Sequence, residues 1–187
     1  MTSANTVERV YRFLRVNSMK NCVYAGSFDP LTLGHEYIVE KCLLNYDRVF
    51  IVIGENAGKT CYFTKEERKR ILESVYSNNE RIEIIDYSSV KDNYKKVLRK
   101  NDVRYYVRGI RNVADRSYED SYKKQNGKEY PFITTVYIDA SPKLANVSSS
   151  LVREKIAKGE DISAYVSKDA LLELKKILEE KNGKQNT

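Results

Sequence analysis

The sequence predicts an α/β protein with a doubly wound, parallel, five-stranded sheet and helices on both faces. Three observations carry that expectation. Apolar runs of strand length alternate with amphipathic segments of helix length, the pattern of repeated strand-helix-strand units. One run, Val49-Phe50-Ile51-Val52-Ile53, is apolar without interruption, as in a strand covered on both faces. The polar clusters with chemical potential follow the strands, at the edge where open parallel sheets take ligands.

Cys22 to Ala25 is the first strand, and Gly26 to Gly34 lead into a helix over about 35–45 with Ile38, Val39, Cys42 and Leu43 on one side. Arg48 to Ile53 is the second strand. Thr64-Lys65-Glu66-Glu67 is a capping box, which starts a helix over about 65–77. Ile82 to Asp86 is the third strand, followed by a helix over about 92–100; Val103 to Val107 is the fourth, followed by a helix over about 115–125. Phe132 to Ile138 is the fifth. A loop then reaches a helix opening at Ser148-Ser149-Ser150, and an amphipathic helix over about 169–181 follows, with Leu171, Leu174 and Leu178 on its buried side. Asn182 to Thr187 reads as a disordered polar tail. The expected organisation is one domain, 19–181, after an extension of residues 1–18. Met19-Lys20-Asn21 reads as a native start, which makes that extension vector-derived, an over-long gene reading or a targeting segment.

Composition narrows the function. The 187 residues suffice for one buried core, and no run nears the roughly 18 apolar residues of a membrane span. Cys22, Cys42 and Cys61 are widely spaced, which disfavours a disulfide framework or thiolate zinc site and suits a reducing cytosol. A single histidine excludes a multi-histidine metal centre. The net charge is +7 with a pI near 9.1. Residues 1–18 hold three arginines and one glutamate, so the remainder still carries +5. Basic residues mostly alternate with acids, and the cluster Lys95, Lys96, Arg99, Lys100 has helical spacing. An anionic small substrate is expected, and no nucleic-acid or membrane partner.

The chain is organised around Tyr24-Ala25-Gly26-Ser27-Phe28-Asp29-Pro30-Leu31-Thr32-Leu33-Gly34-His35. A strand, a glycine turn and a helix start make a phosphate site, because first-turn N–H groups lack intrahelical partners and face anions. His35, the only histidine, sits at that turn. Three further clusters follow strands: Gly54 to Lys59, Arg108 to Arg111, and Ser148 to Ser150. Gly54-Glu55-Asn56-Ala57-Gly58-Lys59-Thr60 imitates a P-loop but has three residues between its glycines where four are needed. Lys59 remains a candidate phosphate ligand.

Together these segments resemble phosphopantetheine adenylyltransferase, of the T/H-x-G-H nucleotidyltransferase superfamily, over about 19–180. Gly26-Ser27-Phe28-Asp29-Pro30 with Thr32-Leu33-Gly34-His35, and Val147-Ser148-Ser149-Ser150-Leu151-Val152-Arg153-Glu154, are similar to the two superfamily signatures. Val107-Arg108-Gly109-Ile110-Arg111 with Asp115, Tyr118 and Glu119 is similar to the pattern particular to the family, and Phe63-Thr64-Lys65-Glu66-Glu67-Arg68 agrees with it. The resemblance implies a Rossmann-like fold and transfer of AMP from ATP to 4′-phosphopantetheine, giving dephospho-CoA and pyrophosphate in coenzyme A biosynthesis. It also implies a cytoplasmic homohexamer.

The resemblance further implies site roles. His35, Lys59 and Arg108 would be catalytic. Ser27, Phe28, His35, Gly109, Arg111, Glu119, Ser148, Ser149 and Ser150 would bind ATP. Ser27, Lys59, Val90, Arg108, Asn126 and Glu154 would hold the acceptor. Mg²⁺ would ride on ATP, with no protein metal ligand. The attacking phosphate is largely dianionic at neutral pH, so positive charge and donors around an in-line transition state are needed rather than a base. Each residue alone has a structural reading. Ser148 to Ser150 can be a helix cap, Arg108 and Arg111 surface ion-pair residues, and Asp115 and Glu119 a solvated helix face. Their joint occurrence favours the site. The chain departs from the family pattern at Ala25, Arg116, Val90-Lys91 and Pro142 to Asn146, on the acceptor and adenine sides. A nicotinate or nicotinamide mononucleotide adenylyltransferase shares both end signatures, and a non-catalytic polyanion binder is the alternative from another class.

Overall fold

Five strands pair in parallel throughout: β1 (Asn21–Gly26), β2 (Arg48–Ile53), β3 (Ile82–Asp86), β4 (Val103–Ile110) and β5 (Thr134–Asp139), in the order β3-β2-β1-β4-β5. The computed structural model describes residues 20–54, 60–110 and 130–185. The chain winds outward from β1 to β3, then returns to place β4 on the other side of β1. The carboxyl ends of β1 and β4 thus flank the point where strand order reverses, the binding crevice of doubly wound sheets.

The helices are α1 (Leu33–Asn45), α2 (Lys65–Tyr76), α3 (Tyr87–Val90), α4 (Tyr94–Lys100), α5 (Ser149–Ala157) and α6 (Lys168–Gln185). Strand alternation splits the core into two layers. Cys22, Tyr24, Val49, Ile51 and Ile53 join Ile38, Val39 and Cys42 of α1, Ile71 and Leu72 of α2, and Leu174 and Ile177 of α6. Val23, Phe50, Val52, Ile85 and Val103 meet Tyr94 and Leu98 of α4 on the other face. The five apolar residues of β2 are at most 1% exposed, as the uninterrupted run predicts. In β4, Val103 and Val107 have the same parity yet serve opposite layers. A register shift against β1, between Asn21 and Cys22, accounts for this.

Thr64 begins α2 as predicted: its hydroxyl accepts from Glu67 N–H at 3.2 Å, and the Glu67 carboxylate accepts from Thr64 N–H at 2.8 Å. Arg70 of α2 forks onto Glu180 at 2.8 and 2.9 Å and reaches Glu173, holding α6 against α2.

Four boundaries differ from the sequence reading. β4 runs three residues further, so Arg108, Gly109 and Ile110 are strand residues paired with Tyr137, Ile138 and Asp139 rather than a loop after it. The single helix expected from about 92 is instead α3, a 3₁₀ turn (Lys91–Asn93) and α4. Asp86 starts it early by accepting from Ser88 N–H at 2.9 Å. β5 begins at Thr134, because Phe132 leaves the strand to pack under the Arg99 guanidinium, 4.7 Å from its ring. The expected tail is helical as far as Gln185, since nothing in Asn182-Gly183-Lys184 ends α6. The helix expected over 115–125 lies outside the described residues.

Candidate active site

The turn after β1 is shaped from within. Phe28 takes a left-handed backbone, with φ of 47°, which costs a residue with a side chain roughly 1–2 kcal/mol. Its ring is fully buried edge-on against Tyr24 and His35, with centroids 5.5 and 5.1 Å away, and that burial offsets the cost. Any contact of Phe28 with a nucleotide therefore comes from its backbone. The Asp29–Pro30 peptide is cis. The buried Asp29 carboxylate accepts from Tyr62 N–H at 3.0 Å and Phe63 N–H at 2.9 Å and lies 3.5 Å from Arg153. Arg153 donates to the Asp29 carbonyl at 2.6 Å, and the Ser149 hydroxyl to the Pro30 carbonyl at 2.8 Å. One acid thus ties the turn to the segment after β2 and to the start of α5.

His35 is the third residue of α1, and its Nδ1 accepts the backbone N–H of Thr32 at 3.2 Å, with the Thr32 hydroxyl 3.1 Å away. The histidine occupies the place of the acid in a capping box. A ring nitrogen that accepts carries no proton, so this bond selects the neutral tautomer protonated at Nε2. The half-buried ring is held between its cap and Phe28.

Two helix starts meet at this turn. Ser148 caps α5 by accepting Leu151 N–H at 3.2 Å, so its hydroxyl has the structural role. Ser149 bridges to Pro30, and exposed Ser150 accepts from Arg153 at 3.1 Å. A Cβ on Gly34 would lie 3.4 Å from the Val147 carbonyl, an ordinary van der Waals contact, so the start of α1 lies directly beside the residue before the α5 cap. Their dipoles place two partially positive ends at one spot. Ser27 is exposed at the turn's rim, and Gly54 N–H donates to the Gly26 carbonyl at 2.8 Å, joining the ends of β1 and β2.

The remaining candidates divide. Gly109 sits under α1, where a Cβ would come within 3.2 Å of Ile38. Arg108 belongs to the opposite face of β4, its guanidinium 5.9 Å from the Tyr106 ring. Val90 ends α3, half-buried against the second core layer. Glu154 lies on the exposed side of α5, paired with Lys158 at 2.6 Å, apart from the cluster at the turn. Lys59, Arg111, Glu119 and Asn126 lie outside the described residues. Ser27, His35, Gly109 and Ser148 to Ser150 are therefore brought to one edge, with Arg108 behind it.

Two nearby acids are shifted in opposite directions. Burial pushes the Glu36 carboxyl above its usual range, partly offset by the polar groups of nearby Ser167. At the end of β3 the Asp86 carboxyl is partly desolvated, which raises it, but Ser88 and Lys65 outweigh this and hold it below the usual range. Among the described residues no group of three or more His, Cys, Asp or Glu is placed to hold a metal ion, and no helix is long and apolar enough to cross a membrane.

Sequence reasoning gave no role to Asp29, Arg153 or Arg68, the residues that hold the turn. Arg68 left a signal: it shares the α2 stripe of Ile71, Leu72 and Val75, and an arginine on a buried stripe needs a reason. Asp29 left none, since its partners, two backbone N–H groups and Arg153, lie far along the chain.

Residues 23–155 match the model of the cytidylyltransferase-like family. The chain is 37% identical over 158 residues to the phosphopantetheine adenylyltransferase of Thermotoga neapolitana, covering 84% of this chain and 96% of the relative. It is 34% identical to that of Bacteroides thetaiotaomicron, covering 79% of this chain and 95% of the relative. Among solved structures, a Vibrio parahaemolyticus chain assigned as a nicotinate-nucleotide adenylyltransferase superposes with a TM-score of 0.64 at 18% identity, covering 83% of this chain and 91% of that one. A bifunctional NMN adenylyltransferase/ADP-ribose pyrophosphatase of Francisella tularensis gives a TM-score of 0.55 at 21% identity, covering 79% and 44%. At those identities the structural likeness speaks for the fold.

Proposed function

The chain belongs to the phosphopantetheine adenylyltransferases, within the cytidylyltransferase-like family, and from that premise we propose how its site works. It transfers the adenylyl group of ATP to 4′-phosphopantetheine, releasing pyrophosphate and dephospho-CoA. One observation supports the site above all. The α1 and α5 starts meet at the β1 turn, beside a histidine whose cap leaves its proton on Nε2.

In this reading the acceptor phosphate attacks the α-phosphorus in line, and the bond to the bridging oxygen of pyrophosphate breaks. The acceptor is already ionised, so no residue removes a proton from it. His35 Nε2–H donates to the α-phosphate oxygens and stabilises the charge that builds there. Ser27 and Lys59 hold the attacking phosphate, with Arg108 on the acceptor side. Arg111 and the Ser149–Ser150 helix start take the β- and γ-phosphates. Phe28 and Gly109 present backbone to the nucleotide, and Glu119 contacts it. Val90, Asn126 and Glu154 line the pantetheine side, Glu154 by leaving its Lys158 pair.

The donors gathered at the turn are hydroxyls, N–H groups and cations, and Asp29 is committed to Tyr62, Phe63 and Arg153. That set fits a Mg²⁺ that arrives on the nucleotide better than one held by a protein cage. The ion would neutralise charge on the phosphate oxygens and the departing pyrophosphate. Buried free thiols at Cys22 and Cys42 support a reducing, cytoplasmic setting. Hexamer assembly belongs to the same reading, and light scattering measures it.

The deciding experiment supplies ATP and Mg²⁺ with a panel of acceptors and measures pyrophosphate. Release with 4′-phosphopantetheine and none with nicotinate mononucleotide is the expected outcome. The reverse preference would overturn the acceptor assignment.

A further inference from the structure

We propose that Arg68 is a positioning residue of the phosphate site, a buried cation whose counter-charge arrives with the bound phosphates. The inference rests on the adenylyl-transfer reading above. Arg68 is 4% exposed, and its Nη1 donates to the carbonyls of Ser27 at 2.7 Å and Gly54 at 3.3 Å. These carbonyls belong to the first residues after β1 and β2. Its Nε is buried without a hydrogen-bond partner, and no acid among the described residues pairs with it. Asp29, the acid of the same turn, is taken up by Tyr62, Phe63 and Arg153.

A guanidinium stays charged in a protein, and a buried charge met only by carbonyl dipoles is costly unless an opposite charge lies near. A phosphate seated at the turn supplies that charge. Arg68 then acts twice. It draws two carbonyl oxygens inward, away from the anion, and it adds a fixed positive charge behind the turn. Because α2 holds it in place, this charge costs no reorganisation when the phosphate binds.

The test uses the full chain with R68K, R68Q and R68M. Pyrophosphate affinity is measured by titration calorimetry at two salt concentrations, melting temperature is measured without ligand, and KM and kcat are separated. One unit charge acting across ~10 Å at an effective dielectric of ~20 changes a binding constant about tenfold. R68Q and R68M are therefore expected to bind pyrophosphate about tenfold more weakly, with a flatter salt dependence and an unliganded melting temperature equal to or above wild type. R68K is expected to keep most of the affinity. Undiminished binding by R68Q overturns the proposal, as does affinity that falls only in step with melting temperature across all three variants. Should R68Q and R68M fail to fold, R68K decides: near-wild-type affinity supports a role for the charge, and a tenfold loss refutes it. A wild type that binds no pyrophosphate and uses no acceptor removes the adenylyl-transfer reading and this inference together. An active wild type with an indifferent R68Q removes this inference alone.

Discussion

His35 is a cap in the structure and a donor in the proposed mechanism, and substitution separates the two functions. His35→Ala removes the Nε2–H and is expected to lower kcat by about 10²–10³. It also orphans the N–H of buried Thr32, at a cost of about 1–2 kcal/mol. Rapid-quench turnover and chemical denaturation of the same variant measure the two losses, and a kinetic loss near tenfold would mean that the cap was its main role. At Asp29 the balance runs the other way. Asp29→Ala leaves two backbone donors without their acceptor and Arg153 without its ion-pair partner, with an expected loss of about 2–4 kcal/mol. Urea denaturation checks it. Asp29 touches no phosphate in the proposed mechanism, so its activity should fall through a displaced turn.

At the scale of elements, the first turn of α1 carries a pH dependence through Glu36. Burial raises the folded-state value of this carboxyl, with partial relief from Ser167. The folded protein therefore binds a proton at Glu36 where the unfolded chain has lost it. Stability from this group is fully present below the unfolded value, and it is lost as pH rises through the unfolded and then the folded value. Glu36→Gln cannot ionise, so its melting-temperature gain over wild type should be larger at pH 7 than at pH 4. Equal gains at both pH values would contradict this.

The elements also mark what the sequence could convey. The β2 run and the Thr64 capping box were legible because their information is local: five apolar residues in a row, and four residues that close on themselves. The extent of β4 was not, because Gly109 looks like a turn until α1 is known to need the space over it. The split between α3 and α4 was hidden for a similar reason. Asp86 is at once the last residue of β3 and the cap of α3.

At the scale of the molecule, the alternation of strands and helices told the layers, and the two end signatures are the segments that meet at the β1 turn. It did not tell how the site is braced. Asp29, Arg153, Tyr62 and Phe63 converge from three separate stretches of chain, and no spacing rule joins them. The register shift that turns β4 over was equally silent, since it depends on pairing with β1.

The bracing extends to α6. Lys181 donates to the Tyr62 carbonyl at 3.0 Å, pairs with Glu67 at 2.9 Å and lies over the Phe63 ring. Where a purification handle is joined to the far end of this protein thus becomes a kinetic choice. A stop codon at position 181 should raise the Michaelis constant for the acceptor several-fold while circular dichroism stays native, because the clasp on Tyr62 and Phe63 is lost and Asp29 with it loosens. A tag fused beyond Thr187 should leave that constant where it was.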